Sequence, residues 1–288
     1  MNNALLIILI SFWKGLIFLP RFFHLLLSDL IGFLIYLFPL KRNKYSKINI
    51  NICFSNKTKI ERNKIFKRNI LLSGRVLLDT GVAWFWSDSR INKSIPYKIN
   101  GLESLLREQN SNNGVLLFFK HSLHLELDSR ILGMHAEIYG VERKHNSKYF
   151  QSVQRAGRLK SMKGIVDRRN TIRFMKWLKN GKTVLYAPDQ DYGMNKSIEI
   201  DFFNRPAATV SAPHKIIQKT NCKIYFLDSY IQDNKLILDI EKLNLADMGE
   251  EDFLRNLNSY IEDKIKLNPH EYLWQHSRFK STLRTIYK

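Results

Sequence analysis

The sequence predicts an α/β fold in which a mostly parallel sheet is flanked by helices and preceded by a hydrophobic helical segment. Three observations predict it. From residue 114 onward, patterns typical of strands and of helices alternate along the chain. The chain has 288 residues, 44% of them hydrophobic, which is enough for one sizeable core. Residues 4–40 are dominated by leucine, isoleucine and phenylalanine, which sets the start of the chain apart.

These patterns divide the chain into three parts. Residues 1–41 form a hydrophobic segment that we expect to attach to a membrane. Residues 42–98 form a helical region packed on the core, because apolar residues recur there at three- and four-residue spacing. Residues 99–288 form the α/β domain.

The N-terminal segment contains two apolar stretches, 4–20 and 24–40, which Lys14 and Asp29 interrupt and Pro39 helps to end. Each stretch has roughly 17 residues, the short end of what spans a bilayer. A single span is slightly favoured over a helix pair lying in the membrane interface. A buried core helix is a further alternative, and so is a cleaved signal peptide, although no small-residue cleavage site follows. Basic residues come next and predict a cytoplasmic location for the domain: Lys41, Arg42, Lys44 and Lys47.

The α/β region can be assigned element by element. Short apolar runs predict strands, and apolar residues at helical spacing predict helices. An antiparallel pair is expected around residues 232–234, where Asp233-Asn234 favours a turn. The predicted strands are 115–119, 136–141, 183–187, 223–227 and 236–240, and the predicted helices are 126–132, 148–160, 171–179, 212–219 and 252–266.

The chain is strongly basic, with a formal net charge of +20. Such a charge favours polyanions: nucleic acid, anionic lipid, a phosphorylated ligand or an acidic protein. No nucleic-acid-binding motif accompanies it, so nucleic acid is the least supported of these partners. Cys53 and Cys222 are far apart in sequence and belong to no CxxC or Cys/His cluster, so we expect neither a metal site nor an oxidising compartment.

The most informative segment is His-Ser-Leu-His-Leu-Glu at residues 121–126, directly after the first predicted strand. Ligands of open α/β sheets bind outside the carboxyl ends of the strands. We therefore expect His121 to act as a general base and Glu126 to orient it across a strand-to-helix junction. The alternative is a histidine at a strand end and a glutamate on a solvated helix face. The pair His121 and His124 is a poor metal motif, and Ser122 lacks the elbow of a serine nucleophile.

Three further loops follow the same pattern. Residues 187–193 follow a predicted strand and carry Asp189 and Asp191. The segments 140–145 and 164–169 bring arginines, which suit phosphate recognition. A single arginine is usually a solvated surface charge, but several charged loops near strand ends predict a binding site.

Five blocks in order resemble one family, the late acyltransferases of bacterial lipid A biosynthesis. The residues that carry the resemblance are GVAWFWSD at 81–88, GVLL at 114–117 leading into HSLHLEL at 121–127, GRLKS at 157–161 with Asp167-Arg168, APDQDYG at 187–193 and PHEYLWQHSRFK at 269–280. The aromatic block and the loop at 187–193 lean toward the lauroyl type. His124 departs from the family pattern, which has a small or hydroxyl residue there.

The resemblance implies a glycerolipid-acyltransferase-like fold and transfer of a fatty acyl chain from acyl-carrier protein to a hydroxyl of a phosphorylated lipid A precursor. It implies no metal and no cofactor. His121 would be the base and Glu126 would hold its tautomer. The substrate-binding residues would be Arg143, Arg158, Arg168, Asp189, Asp191 and Tyr192. Arg158 and Arg168 would bind phosphate or stabilise the oxyanion, and the two aspartates would order the loop.

The implied partners are acyl-carrier protein, the lipid A precursor and anionic lipids of the bacterial inner membrane, with the domain on the cytoplasmic side. Three rival functions are open at this point. They are acylation of a glycerophospholipid, a non-catalytic basic membrane-binding protein, and nucleic-acid binding with steep salt dependence.

Overall fold

The computed structural model describes residues 3–38 and 40–287. Met1, Asn2, Pro39 and Lys288 lie outside this range, and with them the helix-ending role expected of Pro39. The helices are α1 (Asn3–Ile17), α2 (Arg21–Leu37), α3 (Lys41–Cys53), α4 (Lys59–Ser73), α5 (Arg75–Phe85), α6 (Asp88–Ser94), α7 (Leu102–Asn110), α8 (Leu125–His135), α9 (Lys148–Arg158), α10 (Thr171–Lys179), α11 (Ala212–Thr220) and α12 (Glu250–Leu267). The strands are β1 (Tyr97–Asn100), β2 (Val115–Phe119), β3 (Ile138–Glu142), β4 (Met162–Asp167), β5 (Thr183–Tyr186), β6 (Ser197–Asp201), β7 (Pro206–Val210), β8 (Lys223–Gln232) and β9 (Lys235–Lys242).

The described residues form a seven-stranded sheet in the order β1-β9-β8-β2-β5-β3-β4, and β6 and β7 form a separate antiparallel pair. Strands β8, β2, β5, β3 and β4 are parallel, which confirms the predicted mostly parallel α/β fold. Strand β9 is antiparallel to β8, as expected, and β1 is parallel to β9. The turn between β8 and β9 places Asp233 and Asn234 at positive φ, which these short polar residues tolerate.

The sheet is buried on both faces, and β2 shows how the sequence achieves this. Leu116 and Phe118 belong to a core shared with α10, α11 and α12. Val115 and Leu117 belong to a core on the other face, shared with α5, α7 and α8. Successive side chains of a strand point to opposite faces, so a strand covered on both sides needs an unbroken apolar run.

Several elements were not foreseen. The segment 164–169, expected as a loop, is the end of β4 followed by a turn, because the strand runs through to Asp167 at the edge of the sheet. Strand β1 crosses the expected boundary between the helical region 42–98 and the α/β domain, and the hairpin β6–β7 follows the loop at 187–193.

The N-terminal helices pack on the rest of the chain through one face each. Trp13 and Ile17 of α1 belong to the core around α5. Gly32 of α2 approaches α4 so closely that a β-carbon would lie 2.1 Å from the Leu71 carbonyl oxygen. The opposite faces expose large apolar side chains, among them Phe12, Phe22, Leu26, Leu30 and Phe33.

These helices are short. Among the described residues, no single helix is both long enough and apolar enough to cross a bilayer. Helices α2 and α3 satisfy that test only as a pair, and they meet at a bend of 82°.

The α2–α4 contact predicts a stability difference between two glycines. We expect Gly32→Ala to lower the free energy of unfolding by about 2 kcal/mol, because the added methyl group meets backbone that cannot move aside. Gly15→Ala in α1 is the matched control: a β-carbon there has no neighbour within 4 Å, so the change should be neutral or slightly stabilising. Chemical unfolding in detergent measures both. Equal stability of the two variants would contradict the close packing of α2 on α4.

Candidate active site

Two adjacent strand ends bring the main site residues together. His121 follows β2, and Asp189 follows β5, which pairs with β2. The Asp189 carboxylate accepts two hydrogen bonds from the same residue, from the His121 backbone N–H at 2.9 Å and from the ring atom Nδ1 at 2.6 Å. The Asp189 side chain is fully buried, whereas the His121 side chain is 16% exposed. The ring is therefore fixed from behind, and Nε2 is its remaining polar atom.

Electrostatics keep this carboxylate ionised. Burial alone would raise the pKa of Asp189, but the charge of His121 and its hydrogen bonds outweigh burial and hold that pKa well below its usual range. An ionised carboxylate on Nδ1 selects the tautomer in which Nε2 accepts a proton, and it stabilises the imidazolium that results. The pair therefore has the geometry that a general base and its orienting carboxylate require.

The expectation that Glu126 orients His121 is wrong in this structure. Glu126 lies in the first turn of α8, and its carboxylate accepts the Trp84 Nε1–H at 2.8 Å and the Arg158 Nε–H at 3.1 Å. No hydrogen bond between His121 and Glu126 exists among the described residues. The physical reason is that the ring of His121 turns toward the neighbouring strand end, where the buried Asp189 already satisfies Nδ1.

Arg158 forms ion pairs with carboxylates and does not line the cavity that contains Arg143 and Arg168. It pairs with Glu126 and also with Glu142, whose Oε2 lies 3.0 Å from Nη1. Burial alone would lower the pKa of Arg158, but the two carboxylates outweigh burial and raise it. Because its charge is balanced by two acids, Arg158 holds α9 to the amino end of α8 and to the end of β3.

His124 is the centre of a buried ionic network that sequence reasoning did not foresee. Its Nδ1 lies 2.7 Å from Asp128, and its Nε2 lies 3.4 Å from Glu271. Both ring nitrogens can donate only if the ring is an imidazolium. Burial opposes this charge, but Asp128 and Glu271 together raise the pKa of His124 to about 10. Hydrogen bonds from His124, His270 and the Ile231 backbone, together with the charge of His124, lower the pKa of Glu271 to about 2 against the effect of burial.

This network also holds Ser122, the residue that follows His121. The hydroxyl groups of Ser122 and Ser229 both donate to Asp128, at 2.8 and 2.7 Å. The HxxH pattern of the sequence is thus explained by carboxylate partners. The described residues contain no cluster of three or more His, Cys, Asp or Glu side chains that could hold a metal ion.

The C-terminal segment is part of the site, and only its sequence block hinted at this. The Leu123 N–H donates to the Glu271 carbonyl at 2.8 Å, and the Leu273 N–H donates to the His121 carbonyl at 2.9 Å. The side chain of Asn69 on α4 donates to two carbonyls of the same segment, those of His270 and Tyr272. The loop that carries His121 is therefore pinned along its backbone as well as through its side chains.

The remaining predicted residues lie around the loop at 187–193. Asp191 accepts the Gly193 N–H and both the N–H and hydroxyl of Ser281, so it does order the loop. Tyr192 stacks under the Arg168 guanidinium at 4.6 Å. Arg168 and Arg143 line one cavity of about 220 Å³ at the ends of β3 and β4.

The chain is similar in sequence to one family over nearly its whole length. A family profile described as bacterial lipid A biosynthesis acyltransferase matches residues 2–281. The chain is 31% identical to a lipid A biosynthesis palmitoleoyltransferase of Escherichia coli K12 over 88% of this chain and 84% of that protein. It is 32% identical to a lipid A biosynthesis lauroyltransferase of the same strain over 87% and 83% of the two chains.

The chain belongs to the bacterial lipid A biosynthesis acyltransferases. This confirms the family indicated by the five sequence blocks. The near-equal identities to palmitoleoyl and lauroyl enzymes do not single out the lauroyl type. Among solved structures, a 1-acyl-sn-glycerophosphate acyltransferase of Thermotoga maritima aligns with a TM-score of 0.40 and 16% identity, covering 86% of this chain and 97% of that one.

The buried imidazolium of this lipid A acyltransferase predicts a pH-dependent stability. The pKa of His124 is about 10 in the folded state and ordinarily 6.5, so its stabilisation is complete below pH 6.5 and is lost as pH rises through 10. We expect the excess stability of the native protein over His124→Gln to shrink by about 1 kcal/mol per pH unit between pH 7 and 9.

Urea unfolding at pH 7, 8 and 9 measures this difference. The exposed His135→Gln is the matched control, whose difference from the native protein should stay nearly constant. A constant deficit of His124→Gln across this range would show that the ring is not charged in the folded state.

Proposed function

We propose that this protein transfers a fatty acyl chain from the thioester of acyl-carrier protein to a hydroxyl of an acylated lipid A precursor, with His121 as general base and Asp189 as the residue that orients it. The observation that carries the mechanism is the double hydrogen bond between Asp189 and His121. Membership of the family supports the reaction class.

The chemistry needs a base because an alcohol is almost un-ionised at neutral pH. Nε2 of His121 takes the proton of the acceptor hydroxyl as its oxygen bonds to the thioester carbonyl carbon. The carbon–sulfur bond then breaks, and the imidazolium returns the proton to the departing thiolate. The products are an ester and a free thiol. Asp189 stays ionised throughout and stabilises the positive charge on the ring.

Glu126 has a supporting role in this proposal. Its carboxylate joins Trp84 of α5 to Arg158 of α9, directly behind the turn that carries His121. Arg143, Arg168 and Tyr192 would contact the acceptor in this proposal, since Arg143 and Arg168 line one cavity and Arg168 stacks on Tyr192. No metal or cofactor enters any step.

Charge supports the proposed partners. Acyl-carrier protein and lipid A precursors are acidic, and the chain carries a net charge of +20. Inner-membrane lipids are anionic, and basic residues at the start of α3 follow the apolar helices directly. The catalytic domain would thus lie on the cytoplasmic face of the inner membrane.

Attachment in this proposal uses the outward faces of α1 and α2. Both helices bury one face on α4 and α5, and the opposite faces carry large exposed apolar side chains. Water disfavours such a patch, whereas the acyl region of a membrane accommodates it. The helix pair then holds the site at the depth where a lipid acceptor lies.

The different roles proposed for Asp189 and Glu126 can be tested by mutation. With acyl-carrier-protein thioester and the tetra-acylated precursor, we expect His121→Ala and Asp189→Asn each to lower kcat by about a thousandfold or more, since the ring loses either its base or its orientation. Glu126→Gln should lower kcat far less, because the amide still accepts the Trp84 N–H.

Acyl transfer measured in detergent, with thermal unfolding as a check on folding, compares the three variants. Asp201→Asn on the surface of β6 is the control for removing a carboxylate. Full activity of a folded Asp189→Asn beside an inactive Glu126→Gln would return the orienting role to Glu126. Transfer to glycerophospholipid alone would overturn the proposed acceptor.

Membrane attachment predicts that exposed side chains of α2 govern binding to vesicles. Replacing Phe22 and Phe33 by Gln should weaken binding to anionic vesicles by about tenfold or more per side chain. Burying each phenylalanine side chain in the membrane contributes about 2 kcal/mol to the free energy of binding. Leu267→Gln, at a side chain that is more exposed than either phenylalanine but lies at the end of α12, should have no effect. Flotation through a density gradient measures the bound fraction. Equal binding of all variants would show that the exposed apolar faces of α1 and α2 do not attach the protein to the membrane.

A further inference from the structure

Helix α10 carries its positive charges on one side. Its apolar residues Phe174 and Leu178 are buried in the core, whereas Arg173, Lys176 and Lys179 are exposed to solvent. A spacing of three residues keeps these three cations on one side of a helix. We call Arg173, Lys176 and Lys179 the α10 stripe.

No carboxylate offsets the charge of the α10 stripe. The segment 168–188 contains six Lys or Arg residues and no Asp or Glu. Of these six, only Lys182 forms an ion pair with a carboxylate of the described residues, that of Glu137 at 4.0 Å. Arg173 lies over the ring of Trp177, 5.7 Å from its centroid, so its charge is not cancelled. The stripe is therefore a surface of positive charge that an acidic partner would neutralise.

The α10 stripe lies on the opposite side of the sheet from the helices proposed to bind the membrane. Phe174 and Leu178 of α10 belong to the core that includes α11 and α12. Trp13 and Ile17 of α1 belong to the core on the other face, around α5. With the outward faces of α1 and α2 on a membrane, the α10 stripe stays open to a soluble partner.

The α10 stripe begins near the sheet edge that carries the base. Helix α10 follows the turn after β4, and β4, β3, β5 and β2 are parallel and adjacent in that order. The amino end of α10 therefore lies at the same edge as the loops of His121 and Asp189. Arg168, in the turn before α10, stacks on Tyr192 of the Asp189 loop at 4.6 Å. A protein bound along α10 would thus have this edge at one end of its contact surface, where a flexible arm can extend toward His121.

We propose that the α10 stripe is the docking surface for acyl-carrier protein, the soluble acidic donor. The inference rests on the proposed function. Unpaired surface cations attract an acidic protein over a distance and orient its approach, which favours this occupant. A membrane is a poorer fit, because a helix lying in the interface needs a continuous apolar face. Helix α10 exposes only one large apolar side chain, Ile172, whereas α2 exposes several.

The test compares two donors that carry the same acyl chain, the acyl-carrier-protein thioester and the acyl-pantetheine thioester. In the triple variant Arg173→Glu, Lys176→Glu, Lys179→Glu, we expect KM for the carrier-protein donor to rise about tenfold or more with kcat unchanged. The kinetic constants with acyl-pantetheine should not change. For the native protein, KM for the carrier-protein donor should rise with salt, and this dependence should weaken in the triple variant.

The matched control reverses three exposed lysines of another helix. The α4 variant Lys59→Glu, Lys64→Glu, Lys67→Glu changes the net charge by the same amount and should keep the native KM for both donors in detergent.

Three results would overturn the proposal. An equal rise in KM for both donors would show that the α10 stripe affects the reaction itself and not the carrier protein. An equal rise in the α4 variant would show that total charge, and not the α10 stripe, attracts the donor. An unchanged KM together with weaker flotation on anionic vesicles would assign the stripe to the membrane.

A binding measurement separates docking from the reaction. Fluorescence anisotropy of labelled acyl-carrier protein without its prosthetic arm should show binding to the native protein, with a Kd about tenfold higher for the α10 triple variant. Such binding without acyl transfer from any donor would refute the proposed function and keep the docking surface. Acyl transfer with the same KM in the native protein and the α10 variant would refute the docking surface alone.

Discussion

The geometry of the site depends on one buried carboxylate. Asp189, which follows strand β5, accepts hydrogen bonds from both the backbone N–H and the ring Nδ1 of His121. One side chain therefore fixes where the base lies and which way it points. Burying that charge without partners would be very costly, so the two bonds from His121 are also what allows the carboxylate to exist there. His121 and Asp189 stabilise each other, and β2 and β5 cannot shift in register without breaking the pair.

Buried ion pairs also lie on both sides of His121 in the sequence. Lys120, adjacent to the base, forms a buried ion pair with Asp228 of β8. On the other side of His121, the charged ring of His124 joins Asp128 of α8 to Glu271 of the C-terminal segment. Removing one member of such a network leaves an uncompensated charge in the interior. The network therefore resists small displacements of the loop, and a base that must meet a substrate oxygen within a few tenths of an ångström benefits from this resistance.

Local sequence patterns predict much of the fold, and the errors in the prediction of the site share one cause. Strand β2 and helix α10 were predicted with their observed bounds, because an unbroken apolar run and a clear amphipathic repeat are local signals. The sequence also singled out His121 and the loop at 187–193, which the structure brings together. The partner of the histidine was not, because Glu126 is near in sequence whereas Asp189 is 68 residues away and meets it only through strand pairing. The order of the strands and the contact of His124 with Glu271, 147 residues away, are likewise long-range facts that a single sequence does not encode locally.

Paired and unpaired charges occupy different parts of this molecule. Next to the base, cations and carboxylates are buried and matched, so their fields are fixed and little affected by solvent ions. At the ends of β3 and β4, by contrast, Arg143, Lys144 and Arg169 are exposed and unmatched by described carboxylates. Exposed cations exchange water for a ligand at low cost, whereas buried pairs do not. The total charge of +20 therefore matters less for ligand binding than the position of a few cations. These cations lie at the ends of β3 and β4, where no carboxylate of the described residues forms an ion pair with them.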